Sequence, residues 1–531
     1  MRTALLYVGT SISSNGFRRI GSVTRQVDPS AQLHFVLPSD NRSILGVIGL
    51  KDYTPGLDYR SIQDVAQTFK DMDIVGVSCM TPEAEQCKLT IQEIRKINPD
   101  VFIVWGGTHA IIDPDDIIGH SDALCISEGD LAFPELLKQL INGEEYLETR
   151  NFWFRQKDGT VIKNPLRPLT TSDELDRLPP PSYGQHELIF RPGKGFQPLT
   201  VNDYLQWEAL AYSTIWTRGC PFKCTYCSNS TFLQVDRGFG SIRNPSVGVM
   251  LEEVKEVLAI HPHIQTIYFN DDCLVALPEQ VLRDFATQWQ KEIGLPFAVV
   301  GLTPAHVTQE KIEILLQGGM NRVRMGVQSG SDRILKFFKR PNKRGLIKEK
   351  TGILGSFAST GRIIPPSYDI IVDTPIETRE DIHDTLRLIQ EMPRPFHLNI
   401  YSLRSIPNTE LEGQLRELEE SGIGIAESNY SEVAPTFANV LLFFLAVIPL
   451  PKPIFEYLLR FAAPARESAQ IFGLLLIPLK FMFYSNRILS HFWHGDFTLA
   501  FGRLGWVLWK MGLLGKKTSV RFVSSASTTM K

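Results

Sequence analysis

The stretch Thr217-Arg-Gly-Cys-Pro-Phe-Lys-Cys-Thr-Tyr-Cys-Ser-Asn229 decides how the rest of the chain reads. Cys220, Cys224 and Cys227 stand in it at C-x3-C-x2-C spacing. Thiolates are soft ligands that suit iron–sulfur clusters. A four-iron cluster normally takes four protein sulfurs, so three leave one iron open to a small molecule. An open position marks a reactive centre rather than a closed structural one. A zinc knuckle would need a fourth Cys or His close by. The next candidates downstream, His261 and Cys273, are distant in sequence. Ala211 to Trp216 reads as a strand, so the cysteine loop follows a strand end.

Outward from the loop, strand and helix signals alternate. Ile264 to Phe269, Pro296 to Leu302, Arg322 to Val327, Ser367 to Val372 and His397 to Leu403 read as apolar strands. Polar residues follow them, as in Asn270-Asp271-Asp272 and Gln328-Ser329-Gly330-Ser331. Thr378 and Asp381 form a capping-box pattern ahead of a helix that buries Ile382, Leu386 and Ile389. The pattern amounts to about six βα units, a partial barrel with its sites on the loops after the strands.

Upstream lies a second alternating region, residues 1 to about 145. Thr3 to Val8, Asp73 to Met80, Val101 to Trp105 and Asp122 to Ile126 read as strands. Cys87, Ile91 and Ile94 share one helix face between two of them. That order predicts a doubly wound parallel sheet, with ligands at the carboxyl ends of its strands. Gly106-Gly107 stands at one such end, where a ligand can approach the backbone.

The cysteine triad, with aromatic Tyr226 before its last cysteine, resembles the signature of the radical S-adenosylmethionine (SAM) superfamily. The resemblance implies a 4Fe-4S cluster on Cys220, Cys224 and Cys227, whose open iron chelates SAM and whose reduction cleaves SAM to a 5′-deoxyadenosyl radical. It also brings Tyr226 toward SAM. Asp271 and Asp272 match an acidic position after the second strand. MGVQSGS (Met325 to Ser331) resembles a fourth-strand motif, with Gln328 in place of the usual Glu and Ser329 kept; the amide retains reach but loses charge. Arg340 matches a basic position suited to the SAM carboxylate. DIIVDTPIETRED and IYSLRSIPNTEL resemble the fifth and sixth strands.

VGVSCMTPEAE, VWGGTHAIIDPDD and ISEGD are similar to the cobalamin-binding domain found ahead of many radical SAM domains. This implies Ser78, Thr81, Gly106, Gly107, Glu128 and Gly129 as cobalamin-binding residues. The D-x-H-x-x-G motif that supplies a cobalt-ligating His elsewhere is absent, so no His is assigned to the metal. The expected activity is reductive SAM cleavage with cobalamin-dependent methyl transfer to an unactivated carbon. Other members close rings or rearrange skeletons, with cobalamin or without it, and the sequence does not separate these outcomes. A non-catalytic cluster or cobalamin sensor is the reading from a different class.

Between the two regions, residues 146 to 210 carry a hairpin pattern around Asp158-Gly159, then a Pro- and Asp-rich connector. The radical domain is expected over 211 to 420. Residues 421 to 531 are expected to be mainly helical. From residue 431 onward there are eleven Lys and Arg against four Asp and Glu, beside the apolar runs Val440 to Leu450 and Ile471 to Leu479. The runs are shorter than the roughly 20 residues a spanning helix needs. Two readings stay open: an amphipathic contact with an anionic membrane surface, or a helical cap over the active site. Either agrees with a small, lipid-like substrate. The last ten residues, FVSSASTTMK, read as disordered. The whole-chain net charge of −3 gives no sign of a nucleic-acid partner. Seven scattered cysteines are no disulfide framework and fit a reducing cytoplasm. An electron donor is required that the sequence does not identify.

Overall fold

The computed structural model describes residues 1–37, 56–184, 186–420, 433–468, 471–498 and 502–513. The C-terminal stretch FVSSASTTMK lies outside the described residues.

The first sheet is built from β1 (Thr3–Val8), β2 (Gln32–Val36), β3 (Ile74–Cys79), β4 (Phe102–Gly106), β5 (Ala123–Cys125), β6 (Phe152–Arg155), β7 (Val161–Lys163), β8 (Glu187–Arg191) and β9 (Gly195–Pro198). Their order is β7-β6-β5-β4-β3-β1-β2-β8-β9. The strands from β5 to β8 in that order pair in parallel, and an antiparallel hairpin closes each edge. β1 and β3 are buried almost throughout, as strands covered on both faces must be. The expected helix face is present: Cys87, Ile91 and Ile94 are all buried on Ala84–Ile97.

The sheet extends into the stretch read as a connector. β6 and β7 are the expected hairpin. β8 and β9 were not legible, because Glu187–Pro198 mixes polar residues with turn glycines and becomes a strand pair only by docking on β2. Arg18 secures this edge. It is fully buried and pairs with Glu187 at 2.8 Å, while its guanidinium stacks 3.9 Å from the Tyr183 ring centroid.

The second sheet runs in sequence order through β10 (Ala211–Thr214), β11 (Thr266–Phe269), β12 (Phe297–Leu302), β13 (Met320–Gln328), β14 (Ser367–Val372) and β15 (His397–Ser402), all parallel. Helices cover its outer face around a continuous apolar core that includes Trp216, Phe285 and Trp289. The capping box on Arg379–Glu391 is formed as the sequence predicts, by Thr378 and Asp381.

The apolar run from Val440 falls on helix Phe437–Val447 and packs inward, with Leu441, Leu442 and Leu445 buried. A helix apolar on all sides is stable only inside a core, so this run is not a membrane-surface stretch. The following helix, Gly473–Trp493, lies beside β15, where Ser490 meets His397 at 3.2 Å. The chain then crosses to the opposite edge strand, where Leu210 N–H donates to Thr498 O at 2.9 Å, just before β10. The segment therefore bridges the two edges of the open barrel. No helix among the described residues is long and apolar enough to cross a membrane.

This bridge is fastened by Asp496, which is buried and accepts from Arg322 of β13, from Thr498 Oγ1 at 2.7 Å and from His491 Nδ1 at 2.7 Å. Burial acts to raise the Asp496 carboxyl, but Arg322 and these donors hold it well below the usual range. Breaking such a buried pair typically costs about 3–5 kcal/mol. Asp496→Ala is expected to lower stability by about that amount in urea denaturation, because Arg322 would be left with no carboxylate.

Candidate active site

The cysteine loop connects β10 to the helix Ser228–Val235. Its entry is held by Asp271 at the end of β11. This fully buried carboxylate accepts from the Trp216 N–H at 3.1 Å, from Thr217 Oγ1 at 2.6 Å and from the Thr217 N–H. Gly219 sits at φ 99°, and a Cβ there would lie 2.3 Å from Ser241 O, so only glycine fits this crossing. The Cys220 N–H donates to Phe239 O at 3.0 Å, and Arg218 and Arg243 exchange backbone bonds at 2.7 and 2.9 Å. On the other side the Thr225 N–H donates to Phe338 O at 3.1 Å. The loop is thus clamped from both flanks.

The three sulfurs are differently placed. Cys224 is buried, with Arg340 Nη1 3.6 Å from its Sγ. Cys220 Sγ lies 3.6 Å from the Sγ of Cys273, a neighbour that the sequence left 53 positions away. Cys227 starts the helix Ser228–Val235. Among the described residues no three Cys, His, Asp or Glu side chains gather as a single-ion site. A donor set of three thiols on one clamped loop suits a polynuclear cluster.

The expected SAM residues divide. Arg340 donates to Gly326 O at 2.8 Å, and its Nε is buried without a partner, a donor left over for a ligand. Tyr226 packs edge-on to Phe338 at 5.0 Å beside the loop. Gln328 takes φ 73° at the end of β13, a conformation that turns the chain sharply after the strand. Asp272 faces the cavity described next, and burial raises its carboxyl. Ser329 points away, buried against Thr385 at 3.2 Å, and Asp271 is fully used by the loop.

A cavity of about 560 Å³ lies where the two sheets meet. One wall is the carboxyl edge of the first sheet and includes Ser78, Gly106, Gly107, Ser127 and Gly129; the other includes Trp216, Arg218, Asn229 and Asp272. Gly107 has φ 88°, and a Cβ there would come 2.5 Å from Ser78 Oγ. Ser127 Oγ is buried with no partner, so the wall keeps a free polar hook. Thr81 and Glu128 do not line the cavity. Glu128 instead accepts from Arg243 at 3.0 Å and from Arg218 at 3.4 Å, while Arg218 grips Asp130 through two bonds of 2.7 and 2.9 Å. Burial would raise Asp130, yet Arg218 holds it below its ordinary range. Sequence reading missed both arginines. Their partners lie 88 and 115 positions away, beyond the reach of any local pattern.

A cobalamin-type sheet whose ligand edge faces a cysteine loop on a six-stranded parallel barrel defines a class of enzyme. Residues 214–389 match the radical SAM superfamily, and residues 52–137 match the B12 binding domain. The chain thus carries a radical SAM domain and a B12-binding domain, and its cofactors are a 4Fe-4S cluster, SAM and cobalamin.

Among curated proteins it is 27% identical to an uncharacterized methyltransferase of Pyrococcus horikoshii over 62% of this chain and 67% of that one. It is 23% identical to the anaerobic magnesium-protoporphyrin IX monomethyl ester cyclase of Rubrivivax gelatinosus, over 65% of this chain and 59% of that one. It is 24% identical to the cytidylyl-2-hydroxyethylphosphonate methyltransferase of Streptomyces wedmorensis, over 53% and 55%. The matched regions thus span little more than half to two thirds of these relatives. Two solved structures share the fold. The radical SAM methyltransferase TsrM of Kitasatospora setae has a TM-score of 0.59 at 14% identity, covering 88% of this chain and 83% of that one. The cobalamin-dependent radical enzyme OxsB has a TM-score of 0.58 at 14% identity, covering 96% and 80%.

Burial pushes the Asp271 carboxyl up to about 7, against the pull of its three donors. An unfolded Asp releases its proton near pH 4. Between these values the folded state holds the extra proton, so Asp271 makes stability fall as pH rises from about 4 to 7. Urea unfolding of Asp271→Asn at pH 5 and pH 7.5 is expected to show a smaller difference than the parent protein.

Proposed function

We propose that this enzyme is a cobalamin-dependent radical SAM methyltransferase acting on an unactivated carbon of a small molecule. The observation that carries this reading is the shared cavity, bounded on one side by the Gly106-Gly107 edge and on the other by the cysteine-loop side. A methyl carrier and a radical source must act on the same substrate atom, so both must open onto one space.

In this reading Cys220, Cys224 and Cys227 hold the cluster. Arg340, Asp272, Tyr226 and Gln328 surround SAM, with the Arg340 guanidinium suited to its carboxylate. Ser78, Gly106, Gly107 and Gly129 form the floor against the corrin. Asp271 and Ser329 hold the loops and leave the ligands to their neighbours. When bound, the cluster delivers the electron that splits SAM, and the cobalamin carries the methyl group. The protein residues position these groups and exclude water, and an electron donor outside this chain would supply the electrons. Methyltransferases among the curated relatives support methyl transfer. The cyclase relative supports a second outcome, ring closure from the same substrate radical.

The helix Gly473–Trp493 adds a finer point of location. Leu474, Leu475, Phe481, Leu489, Phe492 and Trp493 form an exposed apolar stripe along it. Basic Lys452, Arg460 and Arg503 are exposed on the helices before and after it. Such a stripe suits peripheral contact with an anionic lipid surface and a lipid-like substrate.

After anaerobic reconstitution with iron, sulfide and hydroxocobalamin, dithionite and SAM are expected to yield 5′-deoxyadenosine. Cys224→Ala should reduce that yield to background, and Gly107→Val should lower the corrinoid retained on gel filtration. S-adenosylhomocysteine in the products would mark methyl transfer, and deoxyadenosine alone would favour ring closure. Sedimentation with vesicles rich in phosphatidylserine is expected to exceed that with neutral vesicles at low salt. The Leu474→Asp, Leu489→Asp double variant should remove most of the difference.

A further inference from the structure

The barrel lumen has the polarity its outer face lacks. Val323, Met325 and Val327 of β13, Tyr368 and Ile370 of β14 and Leu398 of β15 are buried in the core under the outer helices. Side chains alternate along a strand, so Arg324, Asp369, Asn399 and Tyr401 point into the lumen. Barrels of this kind usually fill their interior with branched apolar side chains. Here the wall is charged and polar, and it keeps accessible surface: the Arg324 side chain is 36% exposed and that of Asp369 17%. A wall that keeps accessible surface is not closed off by its own side chains. Its upper end is the carboxyl end of the strands, where the cysteine loop lies.

Among the described residues the charges in this layer do not balance. Asp369 accepts twice from Arg324 Nε, at 2.8 and 3.0 Å, and once from Asn399 Nδ2, at 2.7 Å. Arg324 Nη2 donates to the Tyr401 hydroxyl at 2.8 Å. Below them Arg322 is matched by Asp496. Arg487 enters the same layer from the helix Gly473–Trp493 and donates from Nη1 to Asn399 Oδ1 at 2.8 Å. That partner is neutral, and no carboxylate among the described residues forms an ion pair with Arg487. Burial pulls Arg487 below its ordinary value; the nearby tyrosines oppose this and Arg324 adds to it. A half-buried arginine without a counter-charge is costly to keep. Its remaining N–H groups form a planar fork that matches a carboxylate or a phosphate.

We propose that the lumen is an oxyanion site, with Arg487 as the specificity-determining residue that holds a carboxylate or phosphate-type group of the substrate. The proposal rests on the radical SAM reading and adds to it the chemical class of the substrate. The anion would face Arg487, leaving the rest of the molecule to extend upward toward the cysteine loop. Arg340, beside Cys224, remains available for the SAM carboxylate. The C-terminal segment thus contributes a binding group as well as closing the barrel. A purely apolar substrate would leave this charge unanswered.

The test is calorimetric titration of the reconstituted protein with inorganic phosphate and, separately, with benzoate. SAM is kept saturating and reductant is left out, so the SAM carboxylate site is filled and no turnover occurs. At least one probe is expected to bind. Arg487→Gln should weaken that binding by about ten-fold or more, the scale of a lost hydrogen bond to a charged group. Arg487→Lys, which keeps the charge but loses the fork, should weaken it by a smaller factor and serves if the Gln variant fails to fold. Binding of phosphate alone assigns a phosphate-type group, and binding of benzoate alone a carboxylate. Failure of both probes to bind the parent protein overturns the proposal, as does equal affinity in parent and variants. The readout does not pass through SAM cleavage. A parent protein that binds the anion but yields no deoxyadenosine supports the site while overturning the radical reading.

Discussion

The arrangement depends on one set of buried charges, the pairing of Arg218 and Arg243 with Asp130 and Glu128. Arg218 immediately precedes Gly219 and Cys220, while Glu128 and Asp130 follow β5 at the ligand edge of the first sheet. Taking four charges out of water is expensive, and such pairs add little net stability over an apolar contact of the same shape. They add direction. A guanidinium fork on a carboxylate is satisfied in one geometry only. The cluster therefore acts as a register pin between two sheets that share no strand. Arg19 supports it from the side by pairing with Glu253 at 3.0 Å, and Asn408 donates to Ile112 O at 3.0 Å across another part of the junction.

From that register the cavity follows. With β5 pinned to the cysteine loop, the Gly106-Gly107 edge faces Asn229 and Asp272 across a space of about 560 Å³. The cysteine loop cannot yield to close this space. Asp271 fixes its entry, the crossing at Gly219 admits no Cβ, and Phe338 O receives the Thr225 N–H. At the other end of the barrel, Asp496 secures the segment that bridges β15 to β10. The cavity is thus an opening held by one frame, beside the loop that carries the three thiols.

Much of this was legible in the sequence where a local signal was complete. β14 runs over Ser367–Val372 because an apolar stretch is bounded by Pro366 and by Asp373-Thr374-Pro375. The cysteine spacing and the Gly-Gly strand end are likewise local patterns. Signals that depend on docking were not legible. β2 carries Gln32 and His34 and becomes a strand by pairing with β1 and β8. Within the site, sequence adjacency could not say which of two neighbours turns toward the ligand. Asp272 lines the cavity while Asp271 ties down the loop, and Ser329 turns back to Thr385 although it stands beside Gln328. Glu128 lies in the expected ISEGD segment, yet its carboxylate is taken by arginines that no local pattern predicts.

The central claim is that the corrin and the cluster share one cleft. Low-temperature EPR of the reconstituted protein, with cobalamin as Co(II) and the cluster reduced, tests it most directly. The expected result is magnetic coupling between the two centres: each signal should be broadened and should relax faster than in samples that carry one centre alone. Two independent signals from a protein shown to hold both cofactors would contradict the account.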